Sequence, residues 1–336
     1  MIISVIKIAI VMIVMLTVVA NLVYAERRIS AFIQNRIGPN RVGPWGLLQA
    51  QADVLKLLIK EEIVPAKANR FLHTLAPVIS ISVALVTFAV IPFGDTINLF
   101  GREIQLMIAD VNIGVLYILA LTSLGVYGIT LAGWSSNNKY SLLGGLRSSA
   151  QLISYELSLG LSVVGVIMIA GTLQLDKIVE LQSGFAWNAF LTPIGFITFV
   201  VASFAETNRL PFDLPEAEPE LVGGYHTEYS GMKFGSFFLA EYANMITSSA
   251  LIVTLFLGGW QFPFLEALGL SPILASIAKV ITFIAKVVAV LFFYIWIRWT
   301  IPRFRYDQLM NLGWKVMLPL AILNLVVTGA GLILFA

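Results

Sequence analysis

The feature that most constrains this chain is a series of unbroken apolar runs of about twenty residues, the length a helix needs to cross the hydrocarbon of a bilayer. They cover residues 8–25, 75–94, 113–134, 153–173, 190–205, 237–257, 275–297 and 316–335. Lipid leaves no partner for an open backbone, so only helices and closed barrels span it. Barrel strands would read as alternating segments of about ten residues, a pattern these runs do not show. The sequence therefore predicts an all-α polytopic membrane protein with about eight transmembrane helices, a single membrane domain over residues 1–336. Composition agrees: 58% of residues are hydrophobic and only 12% charged, against about a quarter charged in soluble domains.

The first run ends on Val23-Tyr24-Ala25, which imitates a signal-peptidase site. It is longer than a signal-peptide apolar region, and Glu26-Arg27-Arg28 follows as a stop-transfer flank does. It is read as a retained span.

Eight spans place both termini on one side. The segments 26–74, 135–152, 206–236 and 298–315 hold sixteen of the twenty-one Lys and Arg residues. The positive-inside rule turns those four segments to the cytoplasm and both termini to the outer side. A net charge of +2 hides this asymmetry. The same segments carry a majority of the carboxylates, which the rule does not require.

In the first of these segments, RIGPNRVGP (residues 36–44) breaks the helix with two Gly-Pro pairs. From Trp45 onward Leu47, Leu48, Val54, Leu55, Leu58 and Ile59 recur at helical spacing with Gln49, Asp53 and Lys56 between them. That predicts an amphipathic helix at the membrane interface; a packed surface helix without a ligand fits the same periodicity.

The third segment is densest in chemistry. Between Ala205 and Gly231 it carries Glu206, Asp213, Glu216, Glu218, Glu220 and Glu228, with Arg209 as its cation and Pro211, Pro215 and Pro219 shaping an irregular loop. Crowded, partly desolvated carboxylates titrate as a coupled group near neutral pH, as a proton relay requires. A solvated acidic loop is the alternative reading. The spacing lacks the alternating ligands and central Gly of an EF-hand. Within the spans, Glu156 lies near the start of the fourth and Glu241 one turn into the sixth. Lys286 lies mid-membrane in the seventh, seven residues from Lys279 on the same face. A lysine there costs roughly 2.5–3.5 kcal/mol on insertion scales, which implies a function or a buried partner.

Cysteine is absent and the two histidines, His73 and His226, are far apart in sequence, so this chain holds no cysteine-ligated cluster and is poor material for a haem. No phosphate-binding or dinucleotide fingerprint appears. Nucleic-acid binding is not expected, since topology accounts for the basic residues.

Four stretches then carry a resemblance: AERRISAFIQNRIGPNRVGPWGLLQAQADVLKLLIKE from Ala25, GWSSNNKYSLLGGLRSSAQLISYE from Gly133, the acidic segment from Ala205, and IPRFRYDQLMNLGWKVMLPL from Ile301. Together they resemble the H-subunit family of proton-pumping NADH–quinone oxidoreductase, respiratory complex I, whose mitochondrial counterpart is NADH dehydrogenase subunit one. Pro219 departs from that pattern, which more often has a small residue there.

The resemblance implies a membrane subunit that docks the peripheral arm and forms one side of a quinone chamber, in a bacterial cytoplasmic (inner) membrane or an equivalent energy-converting membrane. Its implied lining is Arg27, Arg28, Arg36, Arg41, Lys233 and Phe234. Proton-linked groups are implied at Glu26, Asp53, Glu156, Glu206, Arg209, Asp213, Glu216, Glu218, Glu220, Glu228 and Glu241, with Lys286 added on depth. The substrate would be a quinone, ubiquinone or menaquinone. FMN and iron–sulfur clusters would belong to partner subunits, and no cofactor to this chain alone. Partners would be the peripheral-arm quinone-site and iron–sulfur subunits, small antiporter-like membrane subunits and membrane lipid. The anchor subunit of a related hydrogenase or other quinone-independent complex, and a stand-alone ion-coupled transporter, are the rival readings.

Overall fold

The structure, a computed structural model, describes residues 2–99, 102–184, 186–213, 221–263 and 271–335. It is helical almost throughout. The elements are α1 (Ile2–Ile33), α2 (Gln49–Ile59), α3 (Arg70–Val86), a hairpin of β1 (Thr96–Leu99) and β2 (Arg102–Gln105), α4 (Gly114–Ser135), α5 (Lys139–Ala170), α6 (Leu175–Leu181), α7 (Asn188–Leu191), α8 (Pro193–Glu206), α9 (Gly231–Phe256), α10 (Pro272–Thr300), α11 (Tyr306–Leu312) and α12 (Leu318–Phe335). A π-helical turn, Gly313–Met317, joins α11 to α12.

Among the described residues seven helices are long and apolar enough to cross a membrane, and α8 is a shorter apolar helix. The fifth expected span is thus only 14 residues, about 21 Å at the helical rise and less than the ~30 Å of hydrocarbon. Pro193 starts it, and α7 and the Thr192 turn precede it.

Other boundaries shift because polar residues ride on continuous helices. α1 runs on to Ile33 and carries Glu26, Arg27 and Arg28 within it. α5 starts at Lys139, where Asn138 caps the Tyr140 amide, so Glu156 lies mid-helix and not near its start. α9 starts at Gly231, which puts Glu241 about 15 Å into the helix and not one turn in. The interface helix begins at Gln49, not Trp45, after a 3-10 turn at Pro44–Gly46. Gly46 closes that turn with φ +79°, and a Cβ there would meet the Pro39 carbonyl oxygen at 2.3 Å, so only glycine fits.

α9 is the central helix, buried along most of its length, whereas α1 is largely exposed. Small residues such as Ser248, Ser249 and Ala250 let neighbouring helices approach it closely. α3, α4, α5 and α8 pack in succession beside it, α10 and α1 lie on another flank, and α12 rests against α5 and α8.

The polar connections gather at two ends. At the loop end, Ile63 N–H donates to Ser230, Asn69 N–H to the Ser135 carbonyl, Asn138 to Glu228 and Phe304 N–H to the Pro211 carbonyl. All four segments expected on the same side therefore meet there. At the far end, Lys279 pairs with Asp95 at 2.7 Å beside the hairpin, and Lys7 donates to the Met107 carbonyl.

Candidate functional site

Arg209 follows α8 by three residues and turns inward, 3% exposed, to where α1, α9 and α10 converge. Its Nε lies 2.7 Å from Glu241 Oε1 and its Nη1 3.6 Å from Glu26 Oε2. The guanidinium carbon sits 4.2 Å over the Tyr242 ring. Tyr242 Oη donates to Glu26 Oε2 at 2.7 Å, and Arg298 of α10 binds the other Glu26 oxygen. Burial opposes the charged guanidinium, but Glu241, Tyr242 and Glu26 outweigh it and hold the Arg209 pKa above its usual range.

The backbone around this cluster is tied down by Gln151 of α5, whose amide donates to the carbonyls of Ala205 at 2.8 Å and Phe212 at 2.9 Å. Asp213 is buried beside it and pairs with Arg303 Nη2 at 3.0 Å. Burial raises its pKa to about 6 even though Arg303 pulls the other way. Three carboxylates, Glu26, Glu241 and Asp213, thus face three arginines, Arg209, Arg298 and Arg303.

On the other side of Glu241 a cavity of about 50 Å³ is lined by Glu241, Asn244, Asn208, Glu206 and Thr122. A buried water needs ~10–15 Å³ and two to four polar partners, so the space admits a few waters between Glu241 and Glu206. Glu206, at the end of α8, accepts a hydrogen bond from Thr122 and interacts electrostatically with Glu156. Glu156 in turn accepts a hydrogen bond from Ser123 of α4. Glu26, Arg209, Glu241, Glu206 and Glu156 therefore form one polar track through the loop half of the bundle.

The remaining expected residues lie elsewhere. Arg27 pairs with Asp53 of α2 at 2.6 Å, and both are partly exposed. Arg28 and Arg36 are exposed, making local contacts with the Pro39 carbonyl and Gln34, and Arg41 is also exposed. Exposed Phe32, Ile37 and Trp45 accompany them. Lys233 pairs with Glu62 at 3.4 Å. Phe234 packs on Phe238, ring centroids 4.6 Å apart, and on His226. Glu228 accepts from Asn138 at 2.5 Å, a tie between loop and α5. Glu216, Glu218 and Glu220 lie outside the described residues.

Lys286 has a buried partner, and it is backbone. Its Nζ donates to the carbonyls of Leu257, Gly259 and Gln261 at 2.6, 3.0 and 2.7 Å and lies 4.8 Å over the Trp187 ring. Gln182 and Asn188 donate to the carbonyls of Thr254 and Leu255. Together they satisfy the open carbonyls at the end of α9.

Tyr242, Arg298, Arg303, Thr122 and Ser123 are additions that the sequence does not single out. Tyr242 is signalled only by following Glu241, and Arg298 by ending α10 with a positive charge. The hydroxyls carry no sequence signal. Among the described residues no group of His, Asp or Glu side chains is arranged to hold a metal ion.

A family model described as NADH dehydrogenase matches residues 6–329. NADH-quinone oxidoreductase subunit 8 of Rhodothermus marinus is 56% identical over 333 residues, 96% of this chain and 95% of that protein. The H 1 subunit of the NADH-quinone oxidoreductase of Cytophaga hutchinsonii is 53% identical over 312 residues, 93% and 91% of the two chains. The corresponding H subunit of Salinibacter ruber is 54% identical over 331 residues, 96% and 93%. With apolar helices, these motifs and matches of such extent, the chain belongs to the H-subunit (subunit 8) family of NADH–quinone oxidoreductase, membrane subunits of a multi-subunit enzyme.

Proposed function

We propose that this chain walls one side of a quinone chamber, docks the peripheral arm, and couples quinone reduction to proton translocation through the polar track from Glu26 to Glu156. One observation carries the coupling: Glu241 and Glu206 line the same polar cavity, while Glu241 is joined through Arg209 to Glu26. Carboxylates that share a polar cavity in a low dielectric titrate as a coupled group, and water in the cavity bridges them. Charge arriving at the loop end shifts the balance between arginines and carboxylates, and the shift passes along the track.

The chamber reading rests on the exposed cations Arg28, Arg36 and Arg41 beside exposed Phe32 and Ile37; Arg27, paired with Asp53, and Lys233 and Phe234 at the start of α9 are carried into the lining by the family resemblance. These suit a polar headgroup and an apolar tail, and leave the surface open to peripheral subunits. Ubiquinone or menaquinone is the substrate, and FMN and iron–sulfur clusters reside in those partner subunits. Small antiporter-like membrane subunits receive the protonic output of Glu156. The loop end faces the cytoplasm and both termini face outward.

Glu206→Gln is expected to leave the complex assembled in membranes but to depress quinone-linked NADH oxidation and proton pumping together. Wild-type rates at normal complex content would remove Glu206 from the track. Arg36→Ala is expected to raise the KM for a short-chain quinone; unchanged quinone and inhibitor responses would take Arg36 out of the lining.

A further inference from the structure

A second cavity, of about 760 Å³, lies between α8 and α10 on the flank of the bundle. Phe196, Val200 and Phe204 recur every four residues along one face of α8, and Ala289, Phe293 and Ile297 do the same on α10. Lys286 closes one end, but its ammonium is spent on three carbonyls, so it offers the groove only its methylene stem. The groove therefore selects for an apolar ligand.

Its length and its far end specify the ligand further. From Lys286 to Ile301 α10 rises about 22 Å, enough to hold a chain reaching through one leaflet, half of ~30 Å. At the loop end the groove finishes on Ile301, Phe304, Pro211 and Leu312. Arg305 and Lys315, both exposed, follow these residues in the chain; Arg305 shares its charge with exposed Asp307 at 3.2 Å and Arg303, next to Phe304, with Asp213, so three cations face two carboxylates and the rim stays net positive. Trp299 and Trp314, both exposed, belong to the same stretch of chain, and indoles are enriched where a bilayer's hydrocarbon meets its headgroups. An apolar slot opening beside a basic cluster is complementary to a lipid with a negative headgroup.

We propose that this groove binds an acyl chain of an anionic phospholipid, with the headgroup phosphate at Arg305 and Lys315. The bound chain braces the segment that carries Arg209 and Asp213. Phe212 lines the groove and hands its carbonyl to Gln151, and Pro211 lines it and accepts from Phe304 N–H at 3.1 Å. The inference needs only the membrane location and stands apart from the proton track.

The test uses the complete detergent-solubilised enzyme and phosphatidylglycerol carrying a diazirine in its acyl chain, with the equivalent phosphatidylcholine as comparison. After photolysis, peptides spanning residues 289–301 are expected to carry several-fold more label from phosphatidylglycerol. Ala289→Phe, which fills the groove, is expected to cut that labelling at least fivefold at unchanged complex content on native gels. Should that variant fail to assemble, Val200→Phe on the facing wall makes the same test. Arg305→Glu is expected to bring phosphatidylglycerol down to the phosphatidylcholine level. Equal labelling by both lipids, with no response to Arg305→Glu, overturns the proposal. Displacement of the label by a long-tailed quinone, or capture of a helix from another subunit by a photoreactive residue placed at Ala289, overturns it too.

Discussion

Arg209, buried, and Lys286, half-buried, are both cations inside an apolar protein, and they are neutralised in opposite ways. Arg209 is held by Glu241, Glu26 and the Tyr242 ring, groups of which two can take up a proton. Lys286 is held by three backbone carbonyls and the face of Trp187, none of which titrates. A charge compensated by carboxylates responds to protons arriving nearby, whereas a charge compensated by carbonyls locks a helix end. The same α9 thus has a responsive position at Glu241, ten residues in from its loop end, and a fixed end at Leu257, 16 residues further on. That is a workable division for a machine that must move charge without moving its frame.

The sharpest break of this comparison is Arg209→Met. It leaves Glu26 and Glu241 buried without their shared cation, a loss of about 3–5 kcal/mol for an orphaned buried charge. Assembled complex in membranes is expected to fall steeply. Arg209→Lys is expected to recover part of it, because an ammonium supplies the charge without the planar fork. Normal assembly in Arg209→Met, with normal thermal inactivation, would show that Arg298 alone balances the cluster.

Lys286→Met is expected to cost less, about 2 kcal/mol, because the three carbonyls it releases are only part-buried and can turn to water, while Gln182 and Asn188 still hold their neighbours at that end. The readout is a lower midpoint of thermal inactivation with an unchanged pH profile of quinone-linked activity. A shifted profile would place Lys286 in the proton chemistry and erase the distinction from Arg209.

What the sequence disclosed follows from the range of each interaction. Apolar runs and charge asymmetry report burial in lipid directly, so the helices and the gathering of four polar segments were legible. Helix ends were not, because Glu26 and Glu156 sit on helices that continue well past the apolar runs. The short α8 reads as a full span in sequence because its apolar run includes residues of α7 and the Thr192 turn. The roles of Glu26 and Arg209 depend on pairing across 183 positions of chain, and no local pattern encodes which carboxylate an arginine meets. Lys286 was recognisable as an anomaly, yet its partners are carbonyls, which every residue has.

Asp213 gives the comparison a pH axis. Its pKa, raised by burial from 3.8 to about 6, means that the native state holds a proton the unfolded chain has released between those values. Its contribution to stability therefore falls as pH rises through that window and is constant above it. Above about 6 the carboxylate is charged beside Arg303; below, the pair loses half its charge. Quinone-linked activity is expected to show a titration near pH 6 that Asp213→Asn removes. His226→Gln serves as the control, because burial pushes His226 down to about 4 and keeps it neutral in that window. Persistence of the step in Asp213→Asn would assign it to another carboxylate.

The smallest expected effect isolates the neutral part of the Arg209 cluster. Tyr242→Phe keeps the ring under the guanidinium and deletes only the hydroxyl that donates to Glu26 at 2.7 Å. Glu26 retains Arg298 and Arg209, so its charge stays compensated. The loss is expected to be about 1.5–3 kcal/mol at most, the range for a hydrogen bond to a charged group, and nearer its lower end. A double-mutant cycle with Glu26→Gln, read as thermal inactivation of the assembled complex, separates the hydroxyl from the charge. If Tyr242→Phe costs as much as Arg209→Met, the cluster is held by its hydrogen-bond geometry more than by the balance of arginines and carboxylates. Glu26 would then be a fixed joint of the same kind as Lys286.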